Sequence, residues 1–179
     1  MKPFLPFLAL SAAIGLAGCK QHPPSSSRLT SATVPPGEIG SPLPQFALQD
    51  LRGREISSAA LRGKVVLIDF WATWCQPCKV EMPGYQQLLD RYGPRGFAVI
   101  GFKFDTMADT EDPLKFARRI RVQYPLAIAP DNLKQKFGGI EGLPTTLLYD
   151  RNGILRKKII GFEYPQAFEP PIKQFLEIE

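Results

Sequence analysis

Residues 64–79 read KVVLIDFWATWCQPCK, and this stretch decides the architecture. Val65-Val66-Leu67-Ile68-Asp69-Phe70 is apolar, rich in β-branched residues and without alternation, the pattern of a strand buried on both faces. A central strand is therefore predicted. Two cysteines follow it, Cys75 and Cys78, at the start of a segment from about Gln76 to Tyr92 with apolar residues at Val80, Met82, Tyr85, Leu88, Leu89 and Tyr92. That spacing predicts a helix, with Pro83 as a kink point inside it.

Working outward, Gln45–Leu48 and Arg54–Ile56 flank the turn-rich Asp50-Leu51-Arg52-Gly53 and predict an N-terminal β-hairpin. Ser57 is placed to cap a short helical turn ending near Gly63. Phe97–Phe102 predicts a second buried strand, and Asp112-Pro113 opens a helix to about Arg121. A short apolar segment, Leu126–Ala129, precedes a helix capped by Asp131 and ended by Gly138-Gly139. Thr145–Tyr149 and Ile154–Ile160 read as an antiparallel hairpin, and Pro171 starts a last helix. The order β-β-α-β-α-β-α-β-β-α implies an α/β fold, a mixed sheet with helices on both faces.

A Cys-x-x-Cys pair at a helix start has a chemical consequence. Unpaired backbone N–H groups and the helix dipole favour an anion there, lowering a cysteine pKa from about 8.5 to roughly 3.5–7.5. Cys75 is the expected nucleophile. Cys78, one turn later and more buried, is the expected resolving thiol, able to attack a mixed disulfide at Cys75. Pro77 sets φ for the first turn. The plainer alternatives are half of a zinc site, which lacks further ligands, and a structural disulfide, whose two-residue loop closes little chain. Haem attachment requires a histidine where Lys79 stands.

The rest of the chain bounds the function. Its 179 residues are 44% hydrophobic and 22% charged, enough for one domain of ordinary size. Net charge is +5; the first 40 residues hold three bases and one acid, which leaves +3, too mild for a nucleic-acid partner. The apolar run of residues 3–18 is shorter than the roughly 20 residues of a spanning helix. With its basic start and Leu16-Ala17-Gly18-Cys19, residues 1–18 read as an export signal, and the tetrapeptide resembles the lipobox of bacterial lipoproteins, with lipid on Cys19. An ordinary cleaved signal is the alternative. Residues 19–40, a lipidated N-terminus and a Ser/Thr/Pro-rich flexible tether, reach roughly 25 Å as a random coil. The sole histidine, His22, lies in that tether, so the folded body of residues 41–179 has no His-dependent chemistry and no metal or cofactor is expected.

Asp69-Phe70-Trp71-Ala72-Thr73-Trp74-Cys75-Gln76-Pro77-Cys78-Lys79, then Pro83, then Gly142-Leu143-Pro144-Thr145-Thr146, resemble thioredoxin-fold proteins. The added N-terminal hairpin, the lipobox and Glu81 resemble the membrane-tethered TlpA/ResA-like thiol:disulfide oxidoreductases in particular. The resemblance covers about residues 41–179 and implies a thioredoxin fold, a mixed central sheet flanked by helices. It implies that Pro144 is a cis-proline facing the disulfide, where a trans-proline opening a strand is the alternative. Substrate docking falls to Trp74, Gln76, Pro77, Leu143, Pro144 and Thr145, with the Leu143 backbone pairing a substrate strand. Trp71 is expected in the core, and a core role is the alternative for Trp74. Asp69 is implied as a buried proton acceptor for Cys78, its alternative a paired strand-end acid. Glu81 matches an active-site acid acting from a wetter position, its alternative a solvated helix glutamate.

Gln76-Pro77 departs from the Gly-Pro of thioredoxin and from the Glu-Pro common in ResA-like reductants. The peroxiredoxin pattern Pro-x-x-x-Thr/Ser-x-x-Cys is absent, since Ala72 and Ile68 stand at those places before Cys75. The expected partners are protein substrates with disulfides or thiols, a membrane redox partner supplying electrons, and the membrane itself through the lipid anchor. The expected activity is extracytoplasmic disulfide exchange, in the reducing direction and with cytochrome c maturation as one role. A peptide-binding or assembly lipoprotein with an inert disulfide is the competing class.

Overall fold

The computed structural model describes Met1, residues 34–104 and residues 111–178. The predicted export signal, Cys19, His22 and most of the tether lie outside the described residues. In chain order the elements are β1 (Ala47–Gln49), β2 (Glu55–Ser57), β3 (Val65–Trp71), α1 (Gln76–Tyr92), β4 (Phe97–Lys103), α2 (Pro113–Arg119), β5 (Leu126–Ile128), α3 (Asp131–Lys136), β6 (Thr145–Tyr149), β7 (Leu155–Ile160) and α4 (Glu169–Leu176). The order β5-β4-β3-β6-β7 makes a five-stranded sheet, and β1-β2 is a separate antiparallel hairpin. Strand β3 runs parallel to β4 and antiparallel to β6. This is a thioredoxin-like fold with the added hairpin.

All seven residues of β3 are buried, as its unbroken apolar run requires. Alternate side chains of a strand point to opposite faces, so β3 serves two cores. Val65, Leu67 and Trp71 join one cluster with Cys78, Met82, Tyr85 and Leu88 of α1 and Ile172 and Leu176 of α4. Val66, Ile68 and Phe70 join a second with Phe46 and Ile56 of the hairpin segment and Phe102, Leu133 and Phe137. Each large apolar side chain so buried contributes about 1.5–3 kcal/mol. Parity also settles Asp69: it shares a face with Leu67 and Trp71 and therefore lies under α1.

The differences from the sequence reading have local causes. Helix α2 is capped as expected, Asp112 accepting from the Lys115 amide at 2.7 Å, but it stops at Arg119 because Arg121 takes a left-handed φ of 59°. Pro130, not Asp131, is the cap residue of α3, and Asp131 sits in its first turn. Helix α4 starts at Glu169, two residues before Pro171, since a proline in the first turn forfeits only an N–H that has no intrahelical acceptor. The segment at Leu126 joins the sheet as an edge strand beside β4. Packed chain also begins earlier than Ser41: the Gly40 amide donates to the Leu155 carbonyl at 2.9 Å.

The two hairpin turns share one device, which Asp50-x-x-Gly53 and Asp150-x-x-Gly153 encode. Asp50 Oδ1 accepts from the Arg52 and Arg54 amides at 2.8 and 2.9 Å, and Asp150 Oδ1 from the Asn152 and Ile154 amides at 2.9 and 3.0 Å. Burial works to raise both carboxyl pKa values, but these hydrogen bonds and the Arg54 and Arg156 guanidiniums outweigh it and hold both below the usual range.

Candidate active site

Cys75 is the N-cap residue of α1, and its Sγ accepts a hydrogen bond from the Cys78 amide at 3.3 Å. The two cysteines form a disulfide with Cα atoms 5.4 Å apart. Cys78 is fully buried, and the 3% exposure that remains belongs to Cys75. Around it Trp74, Gln76 and Pro77 are exposed. Once the pair is reduced, the amide aimed at Cys75 and the helix terminus both favour the thiolate on that sulfur. Trp74, 46% exposed, is not a core aromatic, whereas Trp71 is buried and stacked on Phe116 at 5.1 Å.

The Leu143-Pro144 peptide is cis. Register explains its position: Thr145 pairs with Phe70, so Pro144 follows at the end of β3 from which Cys75 emerges. Thr145 Oγ1 donates to the Gly142 carbonyl at 2.7 Å and closes the loop behind the proline. Leu143 is half-buried and Pro144 buried. The Pro144 carbonyl accepts from the Gly161 amide at 2.8 Å, which ties this loop to the chain leaving β7.

Two carboxyl groups lie beneath the helix. Asp69 is fully buried, and neither of its carboxyl oxygens has a hydrogen-bond partner. Burial raises its pKa well above the usual range, and the nearby charge of Glu81 raises it further. Burial and the neighbouring carboxylate thus both favour the neutral form of Asp69. Glu81 is the finding that overturns an expectation, for it is neither wet nor solvated but 1% exposed. It lies three residues after Cys78 and four before Tyr85, on the helix stripe that faces β3. Its Oε1 accepts from the Glu163 amide at 2.6 Å, and its Oε2 has no partner. Burial lifts its pKa to about 7, against the opposing pull of the Glu163 N–H and the Tyr85 hydroxyl. A carboxyl that titrates near 7 is suited to taking and returning a proton at working pH.

Sequence reasoning missed the groups that complete this interior. The Tyr85 hydroxyl shares a hydrogen bond with Thr146 Oγ1 at 3.1 Å, and Thr146 is the β6 residue paired with Asp69. Burial pushes the Tyr85 hydroxyl up, so it remains protonated. Tyr124 is buried with an unpartnered hydroxyl, its pKa raised by burial and then by the charge of Asp69. The four-residue step from Glu81 to Tyr85 and the pairing parity of Thr146 were available signals. Glu163 had none, because its amide meets Glu81 across 82 residues. Among the described residues no group of three or more His, Cys, Asp or Glu side chains is placed to hold a metal ion.

Such a site can cycle between a dithiol and the disulfide it now contains, trading one S–S bond for another, and on this fold that chemistry defines a thiol:disulfide oxidoreductase. The chain belongs to the AhpC/TSA family, whose model matches residues 39–158. It is 36% identical over 140 residues to the thiol-disulfide oxidoreductase ResA of Geobacillus thermodenitrificans, covering 78% of this chain and 76% of the relative. The ResA of Bacillus anthracis is 34% identical, covering 76% of this chain and 78% of the relative. A crystal structure of a thiol:disulfide interchange protein of the thioredoxin family from Chlorobium tepidum superposes with a TM-score of 0.69 at 29% identity, covering 78% of this chain and 98% of that one. The protein is thus a ResA-like thiol:disulfide oxidoreductase, and its substrates are proteins bearing thiols or disulfides. The peroxiredoxin residues before the reactive cysteine are absent from the chain, with Ala72 and Ile68 in their places.

Proposed function

We propose that this oxidoreductase works outside the cytoplasm, tethered by lipid on Cys19, and that it reduces disulfides of client proteins. The Cys75 thiolate attacks a client disulfide, forms a mixed disulfide and releases one client thiolate. The Cys78 thiol gives its proton to a carboxylate beneath the helix, and its sulfur attacks Cys75 Sγ. The second client thiolate leaves as the Cys75–Cys78 disulfide forms. Two electrons from a dithiol partner at the membrane restore the reduced pair. The observation that carries this reading is the Cys78 amide donating to Cys75 Sγ at the helix N-terminus, because it gives the two sulfurs different roles. Apocytochrome cysteines, which must be reduced before haem attachment, fit as clients.

The docking set is Trp74, Gln76, Pro77, Leu143, Pro144 and Thr145, with Asp69 and Glu81 as the proton-handling pair. Cys78→Ser tests the scheme, since without the resolving sulfur the enzyme should accumulate mixed disulfides through Cys75 with exported proteins. Reduction of insulin by the wild type, lost in Cys75→Ser and in Cys78→Ser, separates catalysis from the alternative of a peptide-binding lipoprotein with an inert disulfide. Finding neither trapped species nor insulin reduction would favour that alternative.

A further inference from the structure

The chain leaving β7 is tied to the active site at three successive points. The Gly161 amide donates to the carbonyl of the cis-proline, Pro144, at 2.8 Å. Two residues later the Glu163 amide donates to the Glu81 carboxyl at 2.6 Å. Pro165 then packs on α1 at Gly84, so closely that a Cβ on Gly84 would lie 2.3 Å from the proline ring. Gly161 makes the turn between β7 and these contacts with φ of 94°, a conformation that favours glycine. Residues 161–165 therefore form a strap from the cis-proline loop, across the active-site acid, to the helix that carries both cysteines.

The outer face of the strap is apolar where an ordinary loop would be polar. Phe162 and Tyr164, on either side of Glu163, are 42% and 66% exposed, their rings edge to face with centroids 4.9 Å apart. Ile160, also exposed, precedes them, with its Cγ2 3.5 Å from where a Cβ on Gly142 would stand. Two solvated aromatic rings held together on a strap that joins the cis-proline loop to the cysteine-bearing helix favour an apolar ligand, and aromatic residues are enriched at the centres of protein interfaces. The surface is continuous with the cis-proline loop through Ile160 and Gly161, so its occupant is the client chain reacting at Cys75.

We infer that Phe162 and Tyr164 bind an aromatic or aliphatic side chain of the client close to its reacting cysteine, and that this contact holds the Glu163 amide on Glu81. The inference rests on the oxidoreductase reading and adds client selection and a positioning role for the strap. A covered strap shields its N–H···O bond from water, and an N–H donated to a carboxylate favours the ionised form. An apolar client thereby keeps Glu81 ready to accept the Cys78 proton when resolution begins.

Two measurements on the full-length chain in detergent test this. In the first, fluorescent peptides with serine in place of cysteine, flanked by Phe and Leu or by Gly and Ser, are titrated by anisotropy. The wild type should bind the apolar peptide about tenfold tighter, and the double variant Phe162→Ala/Tyr164→Ala should bind both alike. A preference kept by the variant, or absent from the wild type, overturns the inference. In the second, single-turnover resolution rates are followed against pH with the cysteine-containing disulfide peptides. The acid limb should fall at lower pH for the apolar client in the wild type and coincide for both clients in the double variant. Limbs that coincide in the wild type, or stay separated in the variant, overturn the positioning role. No exchange with either peptide counts against the reduction scheme, while the binding ratio still decides the docking.

Discussion

Glu81 and Asp69 are both buried carboxyls, yet the structure separates their proton chemistry. Glu81 has one oxygen on a backbone N–H and a pKa near 7, while Asp69 has no partner and lies well above its usual range. At pH 7 Glu81 is about half ionised, whereas everything around Asp69 favours its neutral form, so of the two proposed bases for the Cys78 thiol Glu81 is the one we expect to dominate. Replacing Glu81 by Gln should remove the limb near pH 7 from the rate of mixed-disulfide resolution and slow it at pH 8 by about a hundredfold, the lower bound for general-base assistance. Asp69→Asn should leave that limb in place. Stopped-flow rates from pH 5 to 9 check both variants. A limb lost only in Asp69→Asn would return the base role to Asp69, as the sequence suggested. Alkylation should report the same asymmetry at the sulfurs: after reduction, iodoacetamide at pH 6 should modify Cys75 well before Cys78.

Helix α1 and the β-hairpins hold these residues where they act. The glycine at position 84 lets Pro165 sit directly on the helix, so Gly84→Ala must move a ring that its Cβ would approach to 2.3 Å. We expect a loss of about 1–3 kcal/mol, read as a lower denaturant midpoint. The acid limb of resolution should move too, since the strap carries the Glu163 amide. The hairpin between β6 and β7 depends on Asp150, whose Oδ1 takes two amides and whose Oδ2 takes the Arg156 guanidinium at 2.7 Å. Asp150→Ala leaves those amides without their acceptor and should cost about 1–3 kcal/mol at pH 7. Its folded pKa is depressed below 3.8, so its contribution is present above that value and lost as pH falls through the folded pKa. The variant's stability should therefore converge on the wild type in acid.

Across the whole molecule the buried acids reverse that slope. The Glu81 pKa rises from 4.5 to about 7 on folding, so the folded state binds the proton more tightly than the unfolded one. Stability from this group is complete below 4.5 and is lost as pH rises to about 7, by roughly 3 kcal/mol, and Asp69 adds to the loss in the same direction. Denaturation of the oxidised protein should show stability falling between pH 5 and 7, with a flatter profile in Glu81→Gln. A profile as steep in the variant would assign the slope elsewhere. At the membrane, no helix among the described residues is long and apolar enough to cross it, and the attachment proposed above is lipid on Cys19. Cys19→Ala should abolish lipid labelling and move the chain to the aqueous fraction, because acyl burial supplies about 0.8 kcal/mol per methylene. Membrane retention by that variant would refute the lipid anchor.

The sequence alone determined whatever rests on short-range pattern. The unbroken run from Val65 to Phe70 made a central strand, the helix spacing after Cys75 placed two sulfurs one turn apart, and Asp50-x-x-Gly53 and Asp150-x-x-Gly153 marked both hairpins. The cis Leu143-Pro144 peptide was legible through resemblance, because the motif around it is local. Tertiary structure decided the electrostatics. The exposure of Glu81, the partner of Tyr85 and the Glu163 amide depend on which elements close over α1, and no neighbouring residue encodes that. A pKa is set by water excluded and donors supplied by chain segments as far as 82 residues away, so it exists only once the strap has folded onto the helix.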